Sequence, residues 1–341
     1  MGVNVSVIAV DAGNSKTDVA LIGADGTVLA KARGAGFQPP LVGVEVALDV
    51  LGSVLDRAVA ELPSAAGASG HLSACLANAD LPVEEAELAE ALEARGWAAS
   101  VEVRNDTFAI LRAGVDEPRG VAVVCGAGIN CVGMVPDGRT ARFPAIGRIS
   151  GDWGGGGGLA EEALWFAARA EDGRGEPTEL ARTLPAHFGL DSMYALIEAL
   201  HRGTIPPDRR HELTPVLFAT AAAGDPLATA VVEQQAEEVV AMASVALTRL
   251  GLLGEEAPVL LGGSVLAARH PQLNDRIAEL LSARAPKAVV RVVSEPPVLG
   301  AALLGLDRTG AAPEVHRRLR AVVGSRRRRR FAYGDVSGHV A

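Results

Sequence analysis

The sequence predicts a duplicated α/β fold of two domains, and three observations carry that expectation. The apolar run Val7-Ile8-Ala9-Val10 leads straight into Asp11-Ala12-Gly13-Asn14-Ser15-Lys16-Thr17-Asp18. A second run, Val121-Ala122-Val123-Val124, leads into Cys125-Gly126-Ala127-Gly128-Ile129-Asn130. After each, the chain repeats one scheme: strand, turn, strand, then alternating helices and strands. Each opening reads as a buried strand that turns sharply through small residues. Such turns point backbone N–H groups outward, and small side chains let a phosphate come close. Two of them suggest two halves of a clamp around one polyphosphate.

The elements follow in order. Val3–Val10, Val19–Ile22 and Thr27–Arg33 read as a three-stranded meander, with Ala24-Asp25-Gly26 as a hairpin turn. A loop rich in Gly and Pro spans 34–40. Val46, Val50, Val54 and Val59 then recur at near-helical spacing, which predicts an amphipathic helix over 43–62. His71–Ala77 is a strand. Pro82–Arg95 is a helix whose acidic first turn suits its dipole. Val101–Val103 is a strand that ends at Arg104-Asn105-Asp106, with a helix starting near Thr107.

The second half restarts with strands at Val121–Val124 and Cys131–Val135, joined to an Asp137-Gly138 turn. Residues 159–250 are mostly helical and Ala-rich. Val259–Leu261 runs into Gly262-Gly263-Ser264, Val289–Val293 is the last strand, and Pro297–Leu303 opens a final helix. The expected domains are 1–108 and 109–296, with a helix around 297–310 closing the first. The tail 324–341, which carries the run Arg326–Arg330, is expected to be disordered.

Bulk composition narrows the function. A length of 341 residues suits two domains, and 49% hydrophobic with 21% charged residues predicts a packed protein. A net charge of −9 argues against a general nucleic-acid binder. No apolar run reaches the roughly 18–20 residues that span a bilayer. Residues 1–10 carry no basic leader, so no signal peptide is expected and a cytoplasmic location is the default. Cys75, Cys125 and Cys131 form no CxxC pair, which disfavours zinc and disulfide frameworks. Lys occurs only at 16, 31 and 287, so Lys16 in a phosphate-type turn stands out.

Together these motifs resemble the actin-like, sugar-kinase and Hsp70 ATPase superfamily, and within it the BadF/BadG/BcrA/BcrD ATPase family, which includes N-acetylglucosamine kinases. The resemblance spans roughly 5–310. Asp11–Thr17 resembles phosphate loop 1, Asn105-Asp106 the catalytic segment, Gly126–Asn130 phosphate loop 2 and Leu261–Val265 the adenosine loop. Gly147–Gly154 resembles the sugar-facing Gly-Asp-Glu-Gly segment, and Pro297–Leu303 the hinge helix. The chain departs from the pattern at Trp153, which replaces the glutamate, at Ile146, which replaces a tryptophan, and at Gln38, near an expected asparagine. All three departures lie on the sugar side.

The resemblance implies a duplicated actin-like ATPase (ribonuclease H-like) fold with an interdomain cleft, ATP and Mg²⁺ as cofactors, and a homodimer. It implies transfer of the γ-phosphate to a sugar hydroxyl, the 6-hydroxyl by family likeness. N-acetylglucosamine stands first among substrates, ahead of glucosamine, N-acetylmuramic acid, glucose or an aminocyclitol. An iron–sulfur ATPase activator of a reductase and a non-catalytic sugar sensor are lower alternatives.

Residue by residue, Asp11 is the expected handler of Mg²⁺, which keeps several waters. Gly13, Asn14, Ser15, Lys16 and Thr17 would offer N–H, hydroxyl and ammonium donors to phosphate oxygens; the plain alternative is an ordinary hairpin turn. Asp106 is the candidate general base, and the competing reading is a helix N-cap. Gly126, Ala127 and Gly128 would close on the phosphates through backbone N–H groups, or simply connect two strands. Gly262, Gly263 and Ser264 would let adenosine lie against backbone, or form a tight strand-to-helix turn. Gln38, Asn105, Asn130, Gly147 and Asp152 are the expected sugar contacts, together with Asp106. Trp153 reads as wall or core filling. The run Gly154–Gly158 reads as a loop before a helix starting at Leu159, or as a hinge.

Overall fold

The computed structural model describes residues 4–62 and 70–332; Val3 and residues 333–341 of the expected tail lie outside them. The chain forms two units. The first is Met1–Pro118 with Ser294–Ala341, and the second is Arg119–Val293.

Unit 1 opens with β1 (Val5–Ala12), β2 (Lys16–Gly23) and β3 (Val28–Ala35), paired antiparallel. The turn at 24–27 is set by Asp25, whose Oδ1 accepts the Thr27 N–H at 3.0 Å, and by Gly26 at φ +82°. A short α1 (Pro39–Val42) leads into α2 (Val44–Ala60). Ala47, Leu48, Leu51, Val54, Leu55 and Ala58 form the buried stripe of α2, at helical spacing. Then come β4 (His71–Leu76), α3 (Pro82–Ala94), β5 (Ser100–Asn105) and α4 (Thr107–Gly114). β4 pairs parallel to β1 and β5 parallel to β4, giving the sheet order β3-β2-β1-β4-β5.

Unit 2 repeats the plan. Its first strands β6 (Gly120–Cys125), β7 (Ile129–Met134) and β8 (Thr140–Arg142) are antiparallel. The helical insertion follows, comprising α5 (Gly155–Glu171), α6 (Leu180–His187), α7 (Met193–His201), α8 (Leu213–Ala222) and α9 (Pro226–Leu250). β9 (Ala257–Gly262), α10 (Gly263–Ala267), α11 (Pro271–Arg284) and β10 (Ala288–Val292) complete it, and β9 pairs parallel to both β6 and β10. The order β10-β9-β6-β7-β8 is the unit 1 sheet read from the other edge. Each unit has its own core: Val10, Leu21, Leu51 and Leu76 in the first, Val123, Leu159, Phe218 and Leu261 in the second.

The chain returns to unit 1 through α12 (Pro297–Arg308) and α13 (Pro313–Ala332). Gly300 lets α12 lie on α4: a Cβ there would sit 1.8 Å from the Ala109 carbonyl oxygen. Arg112 of α4 is buried and forms a two-point ion pair with Asp307 of α12, at 2.7 and 3.1 Å. These contacts explain why unit 1 ends after Pro118 rather than at 108: α4 belongs with the returning helix. The basic run 326–330, expected to be disordered, falls inside α13.

A further expectation is corrected. The run Gly154–Gly158 is not a loop before Leu159, because α5 starts at Gly155. Its first turn runs against the turn between β6 and β7. A Cβ on Gly155 would come within 2.3 Å of the Gly128 backbone, and one on Gly154 within 2.2 Å of Gln235.

Candidate active site

Parallel pairing brings the unit 1 candidates to one edge. Ala12, Leu76 and Asn105 lie side by side across β1, β4 and β5. The segments leaving those strands therefore emerge together at their carboxyl ends, where open α/β sheets bind ligands. They are Gly13–Lys16, Ala77–Asp80 and Asp106.

The first loop is a tight turn. The Gly13 N–H donates to the Lys16 carbonyl at 2.9 Å, so it is spent inside the loop. Asn14, Ser15 and Lys16 are exposed, and the amides of Asn14 and Ser15 find no partner among the described residues. Thr17 departs from expectation. β2 is buried on both faces from Thr17 onward, and the Thr17 hydroxyl is buried without a partner, so it does not join Ser15 and Lys16 at the tip.

Asn78, which the sequence reading passed over, ties this loop down. It adopts φ +60°, a conformation asparagine tolerates. Its Nδ2 donates to Asn14 Oδ1 at 2.9 Å and to the Phe37 carbonyl at 3.2 Å. Gln38 Nε2 donates to the Asn14 carbonyl at 2.6 Å, so the expected sugar contact also braces the phosphate-type loop. An asparagine just past an apolar strand was the available signal.

Asp106 stands at the N-cap of α4, yet its side chain forms no cap bond to the backbone of the first turn. Asn105 performs the local work instead: its Oδ1 accepts the Thr107 N–H at 3.0 Å, and its Nδ2 donates to Asp80 Oδ1 at 2.8 Å. Asn105 is buried and bonded at both ends of its amide, which makes it a positioning residue. Asp106 is half-buried. Burial raises its carboxyl to about 6, opposed by hydrogen bonding from Thr107.

Asp11 is buried at the end of β1, opposite Asp18. Burial first, then the charges of Asp106 and Asp18, raise it to about 7 against the pull of Lys16 and Arg33. Arg33 is already engaged by both oxygens of Asp18, at 2.7 and 2.8 Å. Asp11 itself has no such direct pairing among the described residues, and its hard oxygen donors suit Mg²⁺. Among the described residues no group of three or more His, Cys, Asp or Glu could hold a metal alone.

Unit 2 has its own edge. Val124 pairs with Gly262, so the turn after β6 and the turn after β9 emerge together. Gly126 donates its N–H to the Gly128 carbonyl at 3.0 Å, whereas the amides of Ala127 and Gly128 take no partner among the described residues. The loop's carbonyls accept from α5: Gly156 N–H to Gly126 and Gly157 N–H to Ala127, both at 2.8 Å. Gln235 Oε1 takes the Gly155 N–H at 2.8 Å, and Thr214 Oγ1 donates to the Gly156 carbonyl at 2.6 Å. Gln235 was another residue passed over. It sits on the apolar stripe of α9 between Val232 and Val239, a visible irregularity in the pattern. Gly263, at φ +81°, forms the tight strand-to-helix turn: a Cβ would meet the Cys125 carbonyl at 2.3 Å. Ser264 beside it is exposed.

A cavity of about 250 Å³ opens beside this edge, lined by Ala127, Gly128, Gly147, Asp152, Trp153 and Gly158 among others. Asp152 Oδ2 accepts the Gly147 N–H at 2.9 Å and the Ser150 hydroxyl at 2.5 Å, which fixes the carboxylate in the wall. Trp153 packs its other side on the unit 2 core. Asn130 is half-buried, and its Oδ1 accepts the Cys131 N–H at 2.7 Å. Cys125 and Cys131 are buried in that core and Cys75 in unit 1.

The BadF/BadG/BcrA/BcrD ATPase family matches residues 8–305. This chain belongs to that family. An N-acetylmuramic acid/N-acetylglucosamine kinase of Clostridium acetobutylicum is 23% identical over 298 residues, covering 87% of this chain and 97% of the relative. An N-acetyl-D-glucosamine kinase of Dictyostelium discoideum is 24% identical over 312 residues, covering 88% and 97%. A solved structure from Chromobacterium violaceum, proposed to be an N-acetylglucosamine kinase, superimposes with a TM-score of 0.65 at 26% identity, covering 88% of this chain and 98% of that one. A ROK family glucokinase from Streptomyces griseus shares the fold at TM-score 0.52 and 15% identity, covering 87% and 98%. The BadF/BadG/BcrA/BcrD member has the duplicated actin-like ATPase fold in two units. Among its described residues, no single helix is long and apolar enough to cross a membrane.

Proposed function

We propose that this chain is an ATP-dependent kinase that transfers the γ-phosphate to a hydroxyl of an amino sugar, with N-acetylglucosamine as the first candidate and its 6-hydroxyl as the acceptor. The observation that carries the reading is Asp106. It is a half-buried carboxylate at the carboxyl ends of three parallel strands, with its proton affinity raised toward neutrality by burial. A carboxylate so placed can accept the proton of an attacking hydroxyl. Asn105 holds the backbone on which it stands.

Other roles follow from exposure. The amides of Asn14 and Ser15 with the Lys16 ammonium, and the amides of Ala127 and Gly128, are the groups left to bind phosphate oxygens. Gly13 and Gly126 shape those loops rather than donate. Gly262, Gly263 and Ser264 would border the adenosine. Asp11 would hold Mg²⁺, with Asp106 nearby; when bound, the ion supplies positive charge to the phosphates. Asp152, Gly147, Gln38 and Asn130 are the proposed sugar contacts, and Asp152 is the best supported because it is fixed in a polar cavity wall. Thr17 is left out of this assignment by its burial. The same reading carries a cytoplasmic location and a homodimer, the dimer to be tested by sedimentation.

The test is an ADP-release assay with Mg²⁺·ATP across hexoses, amino sugars, N-acetylated sugars and N-acetylmuramic acid. Stimulation by an amino sugar is expected. ATP binding without stimulation by any sugar would overturn the reading.

A further inference from the structure

Gly158 is the one glycine of the 154–158 run that no neighbour demands. A Cβ there would meet nothing within 4 Å, whereas Gly154 to Gly157 all face close backbone or side-chain atoms. A glycine inside a helix costs about 0.5–1 kcal/mol relative to alanine. What Gly158 leaves is open space at the wall of the 250 Å³ cavity.

That space continues along α5. Gly158, Glu161, Glu162 and Trp165 stand at i, i+3, i+4 and i+7, one stripe of the helix. A second cavity of about 360 Å³ is lined by Arg148, Glu161, Glu162 and Trp165. Arg148 and Glu161 line both cavities, so the two meet there. From Gly158 to Trp165 the stripe runs about 10 Å along the axis, longer than a single pyranose ring.

The lining has carbohydrate chemistry. Trp165 is 52% exposed, with the Arg169 guanidinium 4.6 Å over its ring, so an indole surface is held in place but kept wet. Arg148 is paired with Glu162. Glu161 has no hydrogen-bond or ion-pair partner among the described residues and is exposed to accept from hydroxyls. With Arg148 and Arg169 against Asp152, Glu161 and Glu162, the wall keeps an acidic excess, which disfavours an anionic occupant.

We propose that the second cavity is a subsite for a second, uncharged sugar ring, so that the pocket takes a disaccharide with one ring by Asp152 and the next on Trp165. This rests on the reading that the first cavity holds the sugar. It also accounts for an exposed tryptophan, an unpaired carboxylate and a surplus glycine on one helical stripe.

The test is calorimetric binding of N-acetylglucosamine and N,N′-diacetylchitobiose to the full chain, wild type and Trp165→Ala, with sugar-dependent ADP release measured in parallel. The disaccharide should bind about tenfold more tightly than the monosaccharide. Trp165→Ala should remove that difference and leave monosaccharide binding unchanged, and Trp165→Phe should restore part of it. Equal affinities in the wild type, or equal losses for both sugars in Trp165→Ala, would overturn the subsite. Turnover of the monosaccharide with no disaccharide preference overturns the subsite alone. Trp165-dependent disaccharide binding without turnover of either sugar supports the subsite and counts against the kinase reading.

Discussion

Gln235 Oε1 accepts the Gly155 N–H at 2.8 Å, and that bond fixes the start of α5 against the turn after β6. Gln235 is fully buried on α9. Beyond it, Gly156 and Gly157 donate to Gly126 and Ala127, so the turn with two unpartnered amides is held by the helix behind it. Replacing Gln235 with Leu leaves the Gly155 N–H buried and unpaired, at a cost of about 1–3 kcal/mol. The expected result is a lower melting temperature together with several-fold weaker binding of a fluorescent ATP analogue. Unchanged nucleotide affinity would show that the turn holds its shape without this anchor.

Asp106 carries the chemical prediction. Asp106→Asn keeps size and polarity but cannot accept a proton, so sugar-dependent turnover should fall by about 10²-fold or more. Nucleotide affinity should persist, because no phosphate contact depends on that side chain. Since burial pushes the Asp106 carboxyl up to about 6, kcat/KM should rise with pH through that region and then level. A flat profile between pH 5 and 7, or wild-type turnover in the variant, would remove Asp106 from the base role.

The parts of the fold carried by strong local patterns were legible. β1 and β6 are apolar runs ended by small-residue turns, and the Asp25-Gly26 hairpin signal leads to paired β2 and β3. What escaped depends on long-range contact. The first unit extends through α4 because Arg112 finds Asp307, far along the chain. The glycine run starts a helix because Gly126 and Ala127 accept its N–H groups, which composition alone does not reveal. Thr17 is buried because β2 is covered on both faces, by tertiary packing that its own residue type does not reveal. Asn78 and Gln235 had sequence signals, a turn residue after a strand and a polar interruption of an apolar stripe. Neither signal says which backbone group it serves.

Asp11 makes stability depend on pH in an unusual direction. Its folded-state value, about 7, lies above the ordinary 3.8, so the folded chain binds the proton more tightly than the unfolded chain. Its contribution is therefore fully present below about pH 4 and is lost as pH rises through 7. Asp106, at about 6, acts with the same sign over a narrower window. Without Mg²⁺ the protein should lose stability between pH 4 and 7, on the order of a few kcal/mol from Asp11. Asp11→Asn should flatten that fall and melt higher than wild type at pH 8. Parallel melting curves for the two proteins across this range would refute the assignment.

Arg112 and Asp307 give the last prediction, because the pair joins the two chain segments that make unit 1. The Arg112 side chain is 2% exposed, while that of Asp307 is 28% exposed and also contacts His316 at 2.9 Å. Arg112 further donates to the carbonyls of Val115 and Asp116, and Arg320 of α13 donates to those of Arg112 and Ala113. The last turn of α4 is thus capped by side chains from two directions. Asp307→Leu leaves the buried guanidinium without its counter-charge, which costs about 3–5 kcal/mol. Arg112→Met with Asp307→Leu removes both charges and should recover most of that loss, since an apolar pair of similar volume packs without a desolvation cost. Urea unfolding of the two single variants and the double variant measures the coupling. If the single and double losses simply add, the pair is not what fastens α12 to α4, and the close packing at Gly300 does that work instead.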